Sequence, residues 1–195
     1  MGRISTIKRE TNETCVEITL NLDGKGTLDG FIPVAFFGHM LAQAAKHAAW
    51  DLAFKVRGDF EIDCHHSVED FGITLGTAIR EALGDKKGLR RYGDVTLPMD
   101  DALVLCAVDL SGRPYSEIDL NFMAPNLGGM ELELVEDFFR ALANAAGINI
   151  HIAQLRGRND HHVAEAAFKA FGRAMRKAAE ADGREEGVPS TKGVL

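Results

Sequence analysis

The chain repeats itself. His65-His66-Ser67-Val68-Glu69 returns as His161-His162-Val163-Ala164-Glu165, an offset of 96 from His65 to His161 in a chain of 195 residues. The same offset pairs Gly76 with Gly172, Ala78 with Ala174 and Arg80 with Arg176. Upstream, Glu17-Ile18-Thr19-Leu20-Asn21 resembles Glu117-Ile118-Asp119-Leu120-Asn121 at an offset of 100, and a few residues of loop difference would reconcile the two spacings. Ordered matches in both halves indicate a duplicated half-domain, whose copies bury their apolar faces together. The repeats divide roughly as residues 1–97 and 98–195, and a chain of this length fits a single domain sharing one core.

Local patterns fill in the elements. Residues 15–22 alternate apolar and polar, as a half-buried strand does. Residues 53–62, 103–110, 115–122 and 149–155 read as further strands, with Ser111-Gly112-Arg113-Pro114 as a turn. Helical patterns run over 36–54, 68–83, 131–146 and 162–181, the last with a capping signal in Asn159-Asp160. Each half is thus strands, a helix, more strand, then a helix. The predicted class is α+β: a duplicated half-domain, each half a mixed sheet with two helices packed on one face. The segment after Asp182 reads as a polar tail ending in a loop.

Charge and cysteine content exclude several functions. A formal net charge of -7 disfavours nucleic acid as a partner. Cys15, Cys64 and Cys106 are scattered, with no spacing suited to a disulfide framework or a structural zinc site, and they suit a reducing cytoplasm. The polar stretch 1–12 lacks the apolar core of a signal peptide. The most apolar stretch, 32–54, is broken by His39, Gln43, Lys46, His47 and Asp51, so no membrane span is expected.

The doublets carry the chemistry. His65 and Glu69 are four apart, as are His161 and Glu165, and on a helix such pairs share a face and reach one ion. The second imidazole of each doublet points about 100° away and serves another ion. Two such motifs facing each other make a two-metal site. A lone histidine is usually a polar residue with a hydrogen-bond partner, and the alternative for these motifs is a pair of helix starts with Glu near the dipole. Repetition at related positions favours metal. Imidazole with carboxylate leaves manganese, zinc and iron open, and no thiolate is implicated.

The chain resembles the imidazoleglycerol-phosphate dehydratase family over about residues 9–195. The resemblance is carried by Arg9-Glu10-Thr11-Asn12-Glu13-Thr14, His39-Met40-Leu41, Gly58-Asp59 and Ile62 through Asp70. It continues in Leu83-Gly84-Asp85, Arg91-Tyr92-Gly93, Pro98 through Leu103 and Asp109 through Pro114. Asn159 through His162, Phe168 through Phe171 and Pro189 through Leu195 complete it. It implies a ribosomal protein S5 domain 2-like fold. It also implies dehydration of imidazoleglycerol phosphate to imidazole-acetol phosphate through an imidazolate stabilised by two Mn2+ per active site. By position, His39, His66, His161 and Glu165 hold one ion, and His65, Glu69, His151 and His162 the other. His65, Glu69 and Glu165 thereby belong to the catalytic centre, with Glu13 as acid, base or positioning group. Arg91, Arg113, Lys192, Ser190 and Thr191 fall at phosphate-contacting positions, with Lys169 a further candidate, and His39, Gln43 and His47 lie on a stretch that lines the substrate pocket. The resemblance further implies twenty-four identical subunits sharing their active sites.

Three positions depart from the family pattern. Gly38 stands where an acidic residue commonly precedes the histidine, Cys64 replaces a common Asp, and residues 31–37 differ from the usual run. Loss of a carboxylate beside a ligand weakens metal binding roughly 10–100-fold. Two rivals remain: a metal-dependent hydrolase on this scaffold, and a non-catalytic metal-binding shell. The phosphate positions and the Pro189–Gly193 run argue against the first. Glu13 with the phosphate set argues against the second.

Overall fold

The computed structural model describes residues 2–184, 187–193 and 195; Val194 of the C-terminal run lies outside the described residues. The first half comprises β1 (Ile4–Glu10), β2 (Cys15–Asn21), β3 (Leu28–Asp29), α1 (Ala35–Ala48), β4 (Asp51–Arg57) and α2 (His65–Leu83). The second comprises β5 (Tyr92–Met99), β6 (Ala102–Asp109), β7 (Tyr115–Asp119), the small hairpin β8 (Asn126–Leu127) and β9 (Met130–Glu131), α3 (Leu134–Ala146), β10 (Asn149–Arg156) and α4 (Asp160–Ala178). The sheets run β1-β2-β4-β3 and β5-β6-β10-β7. In each, the last pair is parallel and the others antiparallel. The expected α+β duplication of mixed sheets, each with two helices on one face, is what the chain forms.

The helices lie between the sheets. α2 covers β1 and β2 and packs on α3; α4 covers β5 and β6 and packs on α1. Each helix pair therefore joins one half to the other, which explains why neither half is a domain by itself. Phe37 of α1 meets Phe138 of α3 at 5.3 Å between ring centres, and Phe139 of α3 meets Phe168 of α4 at 4.9 Å. These rings are fully buried and tie both halves into one core.

The repeated glycines set the helix crossings. A Cβ at Gly172 would lie 2.5 Å from the Ala44 carbonyl oxygen and 3.0 Å from the Ala48 nitrogen. A Cβ at Gly76 would meet Leu142 and Ala146 in the same way. Without side chains there, α4 seats directly on the backbone of α1, and α2 on that of α3.

Several expectations need correction. The 100-residue match of 17–21 with 117–121 does not follow the fold: β2 lies antiparallel to β4 and corresponds to β6, whereas β7, like β3, is the parallel edge strand. The helix expected over 36–54 ends at Ala48, because Ala49 turns left-handed (φ 58°) and Trp50, Leu52 and Phe54 then point inward with a strand's period of two. The strand expected over 53–62 accordingly runs Asp51–Arg57. β1 and β5 are edge strands that alternate in burial, but their inward faces begin with Ser5 and Gly93 rather than with large apolar residues; Gly93 in β5 admits the Ala174 backbone, and Pro98 is tolerated at an edge. The approximate division at 97/98 falls inside β5, and the chain passes between sheets after Leu83 and before Tyr92.

Gly172→Ala should force α1 and α4 apart. Overpacking against backbone costs about 1–3 kcal/mol, and the thermal midpoint should fall by several degrees in calorimetry.

Candidate metal centre

α4 begins where its sequence says. The Asn159 side chain accepts the His161 and His162 backbone N–H groups at 3.0 and 3.3 Å, so the doublet sits on the first turn. One turn on, Glu165 Oε2 lies 3.0 Å from His161 Nε2 and 3.4 Å from His39 Nε2 of α1. The ligand atoms of His39, His161 and Glu165 all lie within 4.8 Å of one another. The Glu165 carboxylate is 9% exposed, while both imidazoles are more than 40% exposed, so the group opens outward over a buried base. Burial pushes the Glu165 carboxyl up, but Lys169, whose Nζ lies 2.7 Å from Oε1, together with both imidazoles outweighs it and holds the carboxyl below its ordinary range. Two imidazoles and a carboxylate converging on one open point fit a borderline or hard divalent ion.

The second imidazoles are held by a different device. His66 Nδ1 lies 2.9 Å from Asp59 and 3.7 Å from Glu13. His162 Nδ1 lies 2.6 Å from Asp101, whose other oxygen accepts the Arg158 and Asn159 backbone N–H groups at 2.7 and 3.0 Å. The Arg158 N–H, His162 and the Asn159 N–H hold the Asp101 carboxyl far below its usual range, and Asp59 raises the His66 imidazole. Each carboxylate engages its ring through Nδ1, and His162 Nε2 lies 3.6 Å from the exposed Asp100 carboxylate. Sequence reasoning gave Asp59 and Asp101 no role; their only signal was a carboxylate in a turn within quoted motifs.

One chain gathers three of the eight expected ligands. His65 begins α2 with Nδ1 4.0 Å from Asp137 Oδ2, and Glu69 follows one turn later. His151 is exposed on β10 between the buried Ile150 and Ile152, so it occupies the sheet face away from the helices, against the Tyr115 ring at 5.4 Å. Cys64 is buried, and burial together with the Glu131 carboxylate at 3.3 Å pushes its thiol up to about 11. Gln43 and His47 follow His39 on successive turns of α1. Burial, then Lys169 and Arg173, hold the His47 imidazole below its ordinary value.

Glu13 sits on the β1–β2 turn, 57% exposed. That turn is braced by Thr11 and Thr14, and Thr14 and Arg9 both donate to Asp70 of α2.

Arg91, Arg113, Ser190, Thr191 and Lys192 line one open cavity of about 650 Å3. The Arg91 guanidinium is engaged: it donates to Asp109 at 2.7 and 3.1 Å and to the Pro189 carbonyl at 2.8 Å, bracing the C-terminal segment. Among the described residues, the Arg113 guanidinium and the Lys192 ammonium have no such partner, leaving two cations open to an anion. The cavity lies at the far end of α4, because the Arg91 N–H bonds the Ala178 carbonyl. At 1.5 Å per residue, Ala178 is ~20 Å from Glu165. A ring joined through three carbons to a phosphate spans about 8 Å. That span is short beside the separation of the two places along α4 of a single chain.

The family model described as imidazoleglycerol-phosphate dehydratase matches residues 32–175. Curated relatives of that name from Acetivibrio thermocellus and Moorella thermoacetica are 54% and 52% identical, each over the full length of both chains. The solved dehydratase of Pyrococcus furiosus superposes with a TM-score of 0.84 at 38% identity, over 97% of this chain and 100% of that one. That of Staphylococcus aureus gives 0.81 at 36%, over 91% and 99%.

If the centre takes a divalent ion, Asp101→Asn should weaken its binding roughly 10–100-fold while leaving the helix content unchanged. Calorimetric titration with Mn2+ alongside circular dichroism checks this.

Proposed function

The chain belongs to the imidazoleglycerol-phosphate dehydratase family of hydro-lyases, and from that membership we propose that it dehydrates imidazoleglycerol phosphate with two Mn2+ per active site. The convergence of His39, His161 and Glu165 across two helices carries this reading. His66 is the expected fourth ligand of that ion. The second ion rests on His65 and Glu69, with His151 and His162 as the expected completion. Bound manganese supplies a Lewis acid that lets the substrate's imidazole ring accept electron density.

The residues of the chain do the rest. The reaction removes a carbon-bound proton, breaks a neighbouring C–O bond, and releases the hydroxyl as water; the enol then becomes the ketone. Glu13, exposed beside His66, is the group placed to take or return the carbon-bound proton. Arg113 and Lys192 bind the phosphate, while Arg91 holds their segment in place. The carboxylates of Asp59 and Asp101 hold the His66 and His162 rings through Nδ1.

The separation between the metal cluster and the phosphate cavity supports an active site shared between copies of the chain. A shell of twenty-four subunits is the assembly we propose, with the substrate's ring on one copy and its phosphate on another. No helix among the described residues is long and apolar enough to cross a membrane, and we place the enzyme in the cytoplasm. The formal charge of -7 argues against nucleic acid as a partner.

Incubation with Mn2+ and imidazoleglycerol phosphate should yield the enolisable ketone; release of inorganic phosphate instead would favour the hydrolase reading, and no turnover a metal-binding shell. Arg113→Ala should raise KM at least tenfold with metal content unchanged, and loss of metal in that variant would count against the phosphate role. Dissociating and mixing His161→Ala with Arg113→Ala chains should restore part of the activity at low substrate, because mixed assemblies contain sites built from two intact ends. A mixture no more active than its parents would place the site on one chain.

A further inference from the structure

The two half-domains are built alike, so a difference between them marks what one half needs and the fold does not. In each, a pair of antiparallel strands lies under the helix that carries the histidine doublet: β1 and β2 under α2, β5 and β6 under α4. At the offset of 96, Asp70 of α2 corresponds to Ala166 of α4. Ala166 is fully buried, so the fold packs this place with a methyl group. A buried carboxylate is unfavourable unless its oxygens are hydrogen-bonded. Asp70 is nonetheless buried, in the half that carries Glu13. The turns differ as well. Residues 11–14 join β1 to β2, whereas Asp100 and Asp101 alone join β5 to β6.

Both oxygens of Asp70 are used on the longer turn. Oδ1 accepts the Arg9 guanidinium at 2.8 Å, and Oδ2 accepts the Thr14 hydroxyl. Arg9 lies in β1 and Thr14 immediately precedes β2, so one carboxylate grips both ends of the turn. The bonds then continue in one direction. A carboxylate only accepts, so Thr14 donates its single hydroxyl proton to Asp70. Thr14 Oγ1 is then the acceptor for the Thr11 hydroxyl, 3.2 Å away. Thr11 Oγ1 in turn accepts the Glu13 and Thr14 backbone N–H groups at 3.2 and 3.0 Å. An unbroken run of hydrogen bonds leads from Asp70 to the backbone of Glu13. The carboxylate of Glu13 lies 3.7 Å from His66 Nδ1. His66 and Asp70 are one turn apart on α2, so the backbone and the side chain of Glu13 are referred to the same helix.

We propose that Asp70 is a positioning residue for Glu13, holding its turn through Thr14 and Thr11 at a fixed place beside the histidine doublet of α2. Asp70 touches no substrate; it acts through Glu13. The inference rests on the proposed proton-transfer role of Glu13. Misplacing such a group by about 1 Å costs on the order of 100-fold in rate.

The test cuts the run of bonds from either end. Asp70→Asn changes the acceptor, and Thr14→Val removes the hydroxyl while leaving α2 untouched. In the Mn2+-loaded enzyme both should lower kcat about 10–100-fold, with KM and bound Mn2+ unchanged. Thr14→Ser, which keeps the hydroxyl, should retain the kcat of the parent. Thr14→Val is then made in a Glu13→Gln background. There it should lower the residual kcat less than about twofold, whereas a merely structural role would lower it by the same factor in both backgrounds. Amide hydrogen exchange on the full chain without substrate gives a second reading. In Thr14→Val and Asp70→Asn, residues 11–14 should exchange roughly tenfold faster or more, with α2 at the rate of the parent. Equal losses in both Glu13 backgrounds, or unchanged exchange over residues 11–14, would overturn the inference and leave the dehydratase reading intact. A Glu13→Gln enzyme as active as its parent would overturn the role of Glu13 and the inference with it. A parent without turnover would overturn the dehydratase reading as well. Should Asp70→Asn fail to fold, Thr14→Val decides, because it separates Asp70 from Glu13 without altering α2.

Discussion

The approach of α4 to α1, closed to backbone contact at Gly172, is the constraint from which the metal cluster follows. His39 belongs to the first half of the chain; His161 and Glu165 belong to the second. They meet only because nothing larger than hydrogen separates the two helices a few turns away. The aromatic core between the sheets holds this crossing and its twin in one rigid unit, since Phe37, Phe138, Phe139 and Phe168 come from α1, α3 and α4. Cores of this density resist shifts of even a methylene. Ligand geometry is thus inherited from helix packing rather than from local loops.

Around that frame, carboxylates do two jobs. Glu165 is itself a ligand candidate, held ionised against burial by Lys169 and two imidazoles. Asp59 and Asp101 instead hold imidazoles, each through Nδ1. The doubled histidine has a physical meaning in this arrangement. In the second half its first member, His161, turns toward Glu165 one helical turn on. In both halves its second member, His66 or His162, is held through Nδ1 by an aspartate from a separate loop. A candidate metal cluster toward one end of α4 and an anion cavity at the other accord with the proposed sharing of the active site between copies of the chain.

Much of this was legible without coordinates. The repeat of His-His-x-x-Glu at a fixed offset pointed to a duplication, the α+β class and the meeting of His161 with Glu165 on one helix face. Asn159 specified where α4 begins, and the grouping of Arg91, Arg113, Ser190, Thr191 and Lys192 is found in one cavity. Other elements were hidden for definite reasons. β1 and β5 are edge strands whose inward faces begin with Ser5 and Gly93 rather than with large apolar residues. The strand β4 was absorbed into the preceding helix because one apolar run served both, and only the left-handed turn at Ala49 divides them. The pairing of 17–21 with 117–121 matched composition, not topology.

The sequence by itself determined the duplication and the spacing that puts each glutamate one turn from an imidazole, because these depend on periodicities that survive in one dimension, and its ordered motifs carried the family resemblance. Tertiary structure alone decided which residues from different elements meet. It brought His39 to Glu165, set Asp59 and Asp101 against the second imidazoles, and engaged Arg91 with Asp109. The reason is that contact between helices depends on how closely and in what register their backbones approach, and a pair of glycines far from the ligands fixes both.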